Sequence, residues 1–110
     1  MGEGREYLGE FEQVVLLALA RLGDGGYGAE IHAEILDATG RDVSIPAVYV
    51  TLKRLEGKAM VSSSIRRPAG GGRALRVYTL EAAGSEALHR SRELFDRLWD
   101  SPHLDTGSAS

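Results

Sequence analysis

Lys53, Arg54, Lys58, Arg66, Arg67, Arg73 and Arg76 crowd between Val43 and Leu80, with Glu56 the one acid among them. Such side chains bind oxyanions, and arginine in particular meets a phosphate with two parallel N–H donors. The segment carries a net charge of +6, whereas residues 1–42 carry −6 and residues 81–110 carry −3, which together give the formal −3 of the whole chain. An acidic average therefore conceals a strongly basic middle. Charge laid out this way points to a surface that meets a polyanion.

Other chemistry finds little support. The chain has no cysteine, so a disulfide framework, a thiolate zinc site and a cysteine nucleophile are excluded. His32, His89 and His103 are far apart and lack a second ligand at metal-binding spacing. His32 does sit beside Glu30 and Glu34, but neighbours two apart on a helix point to different sides. Gly70-Gly71-Gly72 lacks the Lys-Ser/Thr and the strand-to-helix setting of a phosphate-binding loop. Ser44 and Ser62 to Ser64 show no readable pairing with a histidine and an acid. The expectation is a non-enzyme without metal or cofactor.

With 110 residues, 43% of them apolar and 26% charged, the composition is that of one soluble globular domain. The most apolar run, Val14 to Leu22, is about half of the ~20 residues a membrane span needs. Glu10 and Glu12 precede it, without the basic leader of a secretory signal. A cytoplasmic protein with no membrane partner is expected.

The elements that must position the cations follow from periodicity. Phe11, Val14, Val15, Ala18 and Leu22 form a helical stripe from Glu10 to Leu22, which Leu16, Leu17 and Leu19 widen until burial is expected on most sides. Gly23-Asp24-Gly25-Gly26 ends it. Ile31, Ile35 and Ala38 predict a second helix from Gly28 to Thr39, stopped by Gly40. Ser44 is a good N-cap and Pro46 fits the first turn of a third helix. Ile45, Val48, Leu52 and Leu55 are its expected buried stripe; Pro46, Ala47, Val50, Lys53, Arg54 and Gly57 form the opposite face, with Tyr49 on the flank. Residues 61–66 and 75–80 read as strands around the basic, glycine-rich tip 68–73. A last helix runs from Glu81 or Ala82 to Trp99, its stripe being Leu88, Leu94, Phe95, Leu98 and Trp99. Residues before Leu8 and the tail 101–110 are expected to be poorly ordered.

Three helices, a hairpin and a helix are the order of a winged helix-turn-helix: mainly α with a β-hairpin wing, residues 8–80, followed by a C-terminal helix, residues 81–100. In that fold the third helix enters the major groove and the hairpin tip touches phosphates or the minor groove. The DNA-binding set is then Ser44, Ala47, Val50, Lys53 and Arg54 on the helix, with Arg66, Arg67 and Arg73 at the tip. Small Ala47 and Val50 permit close approach, while the cations reach phosphates or guanine edges. A winged-helix protein-interaction module that never meets DNA is the competing reading, since one fold hosts both uses.

The sequence resembles the PadR family of transcriptional regulators. The resemblance rests on Leu8-Gly9-Glu10-Phe11-Glu12, on Tyr27-Gly28-Ala29-Glu30-Ile31 and, most specifically, on Ser44-Ile45-Pro46-Ala47-Val48-Tyr49-Val50-Thr51-Leu52-Lys53-Arg54-Leu55-Glu56. Gly71-Gly72-Arg73, Tyr78-Thr79-Leu80 and Ala83-Gly84 extend it, so that it covers about residues 8–100. It implies a homodimeric repressor of double-stranded DNA whose C-terminal helix dimerises, and it makes Tyr49 a DNA contact. By the same resemblance, Phe95 and Trp99 line a pocket for a small aromatic effector; a dimer core is the plainer reading of both. Two departures stand out. Lys58-Ala59-Met60 replaces the family's Lys-Gly-Leu, and Ala74 replaces a proline after the wing arginine. A Cβ at a left-handed helix cap costs about 1 kcal/mol, so a shifted helix end is expected.

Overall fold

The computed structural model describes residues 7–104. The elements are α1 (Glu10–Leu22), α2 (Gly28–Thr39), α3 (Ile45–Gly57), β1 (Val61–Arg66), β2 (Leu75–Leu80) and α4 (Ala82–Trp99), followed by a 3-10 turn at Pro102–Leu104. The poorly ordered start expected before Leu8 and the tail beyond Leu104 lie outside the described residues, apart from Tyr7.

Local chemistry accounts for the boundaries. In α1 and α2 a glutamate at the third helical position reaches back to the cap: Gly9 N–H donates to Glu12 Oε1 at 2.9 Å and Tyr27 N–H to Glu30 Oε1 at 3.1 Å. Gly40 closes α2 in the left-handed conformation, φ 76°, its N–H donating to Leu36 O at 2.8 Å. Ser44 Oγ accepts from Ala47 N–H at 3.1 Å and so starts α3.

Leu16 and Leu19 from α1, Ile31 and Ile35 from α2, and Val48, Leu52 and Leu55 from α3 are fully buried together, with Met60, Val61 and Tyr78 closing the core from the hairpin side. Three expected core positions are not core. Leu17 is half exposed because it points opposite the buried side of α1, where it and Ala38 line a groove between α1 and α2. Ala38 is itself exposed. Ile45 is also largely exposed at the first turn of α3, and Thr51 takes the buried place on that helix.

The strands pair antiparallel, Val61 with Leu80 through Arg66 with Leu75. A third segment joins them: Gly26 exchanges both backbone hydrogen bonds with Tyr78, at 2.9 and 2.8 Å. The glycine-rich stretch after α1, which the sequence marks only as a helix stop, is thus an extra rung that ties the hairpin to the helices. Gly84 lets α4 leave the hairpin closely, since a Cβ there would lie 2.5 Å from Met60 O.

Ala59 overturns one expectation. The end of α3 is not shifted; Ala59 adopts φ 61°. Ala59 N–H donates to Glu56 O and Met60 N–H to Leu55 O, both at 3.0 Å, which is a Schellman closure with alanine where glycine is usual.

Candidate nucleic-acid interface

The outer face of α3 is set by which of its residues the core takes. Val48, Thr51, Leu52 and Leu55 are buried, so at about 100° per residue Pro46, Val50, Lys53 and Gly57 lie opposite them. All four are exposed, Val50 by 60%. Ala47, expected on this face, is half-buried at its edge.

The two flanks of α3 are different. On one, Tyr49 lies over the first residue of α2: a Cβ on Gly28 would sit 2.5 Å from the phenol oxygen. Gly28 therefore seats Tyr49, which keeps 42% of its surface exposed. Glu56 is on the same flank and accepts from Ser63 Oγ at 2.7 Å, while Arg76 Nη1 donates to Ser63 Oγ at 3.0 Å. The wing lies on this side. Burial raises the Tyr78 hydroxyl above its ordinary pKa, and the charge of Glu56 adds to that, against the opposing effect of Arg76.

The other flank faces the start of α1. Glu12 is almost wholly buried, with Oε2 3.1 Å from Lys58 Nζ and 3.8 Å from Arg54 Nη1. Burial alone would raise its pKa, but the Gly9 N–H bond, the Lys58 bond and charge, and Arg54 outweigh it and hold it below the usual carboxylate value. The cations of α3 are accordingly divided. Lys53 stands on the outward face, whereas Arg54 sits on the flank away from the wing, next to Glu12. The expectation that Lys53 and Arg54 share one outward face is corrected: Lys53 stands on it, and Arg54 lies on the flank with Glu12.

At the tip, Arg66, Arg67 and Arg73 are all exposed. Gly71 and Gly72, at φ 89° and 94°, carry the chain around after a Pro68–Gly71 turn closed by a 3.0 Å bond. Residues opposite each other in the hairpin share a face, so Ile65 and Arg76 project on the same side as Ser63 and Tyr78, toward α3. Val50 and Lys53 are thus exposed on the helix, and Arg66, Arg67 and Arg73 on the wing that lies beside its Glu56 flank.

Ser44, exposed at the start of α3, accepts the cap bond through its Oγ. Phe95 and Trp99 are brought to no common site within one chain: they are 51% and 69% exposed on the free half of α4. His32 Nε2 contacts Val43 O at 2.7 Å and lies 3.6 Å from Asp42, pinning the α2–α3 connection. Sequence reasoning missed the contacts of Glu12 with Lys58 and of Ser63 with Glu56 and Arg76; the lone acid Glu56 in a basic segment was the one available signal.

The family model for the transcriptional regulator PadR-like family matches residues 15–90. The chain belongs to the PadR-like family. Solved structures agree on the fold. A PadR family transcription regulator from Clostridium difficile is 19% identical with TM-score 0.69, covering 93% of this chain and all of its own length (100%). A PadR-like transcriptional regulator from Bacillus cereus is 17% identical with TM-score 0.66, over 80% of this chain and 82% of that one. A protein from STIV described as a winged-helix DNA-binding protein is 18% identical with TM-score 0.67, over 84% and 95%. No curated protein matches the chain. As a PadR-like chain it is a transcriptional regulator with a winged-helix fold, four helices and a two-stranded wing. Among the described residues no helix is long and apolar enough to cross a membrane.

Proposed function

We propose that this PadR-like chain is a homodimeric, sequence-specific DNA-binding repressor of the cytoplasm, released by a small aromatic effector. Residues 8–80 are its DNA-binding unit and residues 81–100 its dimerisation helix. The observation that carries the reading is the exposed outward face of α3, Val50 and Lys53 with Tyr49 beside them, together with the exposed Arg66, Arg67 and Arg73 of a wing that Ser63 ties to the Glu56 flank of the same helix. A major groove roughly 12 Å wide accepts a helix with that slim face, and the tip reaches the flanking backbone. Arg54 joins as a phosphate contact from the α1-side flank.

The free half of α4 supports the dimer. Leu94, Phe95, Leu98 and Trp99 continue the face that Gly84, Ala87 and Ser91 bury against the chain's own body, yet they stay exposed. Four large apolar side chains in a row ask for a cover, and a second copy of the same helix supplies it with two-fold symmetry. The effector would stack on Phe95 and Trp99 across that junction.

The test is duplex binding measured against salt, using DNA from upstream of the coding region. Affinity falling steeply with log salt is expected, at a slope near −0.9 per phosphate neutralised. Charge reversal at Arg66, Arg67 and Arg73 weakens binding to every sequence, whereas changes at Tyr49 or Val50 alter sequence preference. No salt-sensitive duplex binding would overturn the reading in favour of a protein-interaction module.

A further inference from the structure

An acid on a surface that meets DNA repels the phosphates, yet Glu56 stands alone among seven cations in residues 43–80. Its surroundings explain its presence. Glu56 Oε2 accepts from Ser63 Oγ at 2.7 Å, and Ser63 Oγ in turn accepts from Arg76 Nη1 at 3.0 Å. The three residues belong to α3, β1 and β2, so one hydroxyl links the recognition helix to both strands of the wing. We propose that Glu56, Ser63 and Arg76 form a positioning relay that sets the wing's angle to α3 and so aims Arg66, Arg67 and Arg73 at phosphate.

The place of the relay on the hairpin gives it this leverage. Val61, Val77 and Tyr78 are buried at the base, the Gly26–Tyr78 rung holds the base, and Ser62 Oγ bonds Glu81 there at 2.6 Å. Beyond the Ser63–Tyr78 pair every residue from Ser64 to Ala74 is exposed. Among the described residues, the relay is the side-chain tie from the wing to the helices that lies nearest the tip. A hairpin held only at its base swings, and a small angular change at the base becomes ångströms at the arginines. Both bonds involve a charged partner, which makes each stronger than a neutral one. The relay also engages Arg76, one of whose N–H donors is held by Ser63 in the geometry of the wing. Glu56 therefore orders the cations that meet the polyanion it would otherwise repel.

This inference rests on the DNA-binding reading, and its test separates the two. Ser63 is the place to cut, since Ser63→Ala breaks both bonds without altering charge. Duplex affinity is measured against salt for wild type, Ser63→Ala, Arg73→Ala and the double variant. Expected are a slope shallower by about two in Ser63→Ala, the signature of one phosphate fewer neutralised by each protomer of the dimer, and a smaller effect of Arg73→Ala in that background than in wild type. Ser63→Thr, which keeps the hydroxyl, restores the wild-type slope. An unchanged slope, or an Arg73→Ala effect equal in both backgrounds, overturns the relay. A readout without DNA stands beside these. The chain has no cysteine, so a nitroxide on Ala69→Cys reports the tip alone; its mobility rises with Ser63→Ala and returns with Ser63→Thr. Unchanged mobility overturns the proposal. If wild type fails to bind duplex, the regulator reading fails, and the nitroxide still decides the relay.

Discussion

Replacing Ala59 with glycine is expected to stabilise the protein, against the usual direction of alanine-to-glycine changes. Ala59 holds φ 61°, where its Cβ crowds the following carbonyl and costs roughly 1–2 kcal/mol. Glycine removes that cost but loses about 0.5–1 kcal/mol through its freer unfolded chain. The net expectation is about 0.5–1 kcal/mol of added stability, or about 3–6 °C in melting temperature for a domain of this size. Two positions earlier the misplacement runs the other way. Gly57 is the last residue of α3, and a Cβ there meets nothing within 4 Å. Gly57→Ala should add up to about 1 kcal/mol of helix propensity. The swapped pair, Gly57→Ala with Ala59→Gly, should be the most stable of the set. Thermal and urea unfolding at one fixed protein concentration reads all four proteins, because the proposed dimerisation would make the midpoint concentration-dependent. An Ala59→Gly midpoint at or below wild type would refute the account of the helix end.

Three further outcomes follow from the same geometry. Glu12→Gln should destabilise by about 1–3 kcal/mol near neutral pH, because the charge-assisted bonds that the buried carboxylate makes to the Gly9 N–H and to Lys58 Nζ are weakened. Since the folded pKa of Glu12 is lowered, its contribution is full above the ordinary carboxylate pKa and is lost as pH falls through the folded value. The variant's deficit should therefore shrink on acid titration, and a deficit independent of pH would count against the clamp. Gly28→Ala forces Tyr49 off its seat on α2 and should cost about 1–3 kcal/mol, with lower duplex affinity; wild-type denaturation and binding curves would disprove the contact. Leu98→Glu places a charge in the exposed apolar row of α4, and sedimentation should show a folded monomer for the variant against the proposed dimer for the unaltered chain.

Much of this protein could be read along the chain, because the forces that set its elements act over a few residues. The helix that starts at Ser44, the stops at Gly23 and Gly40, the strands around the glycine tip and the charge of the middle segment are all local matters of capping, permitted φ, periodicity and composition. The boundaries read that way coincide with those observed. What stayed hidden joins residues far apart. Glu12 lies 46 positions from the Lys58 it holds, Gly26 pairs with Tyr78 across two helices, and Glu56 reaches two strands through a single hydroxyl. A wheel could say that Leu17 and Ile45 are apolar, but not that the neighbouring elements leave them uncovered. Nor could spacing divide Lys53 from Arg54; that depended on α1 approaching one flank of α3 and the wing the other. One-dimensional pattern determines which groups are available, and packing decides which of them are free to meet a partner and which are used up in holding the others in place.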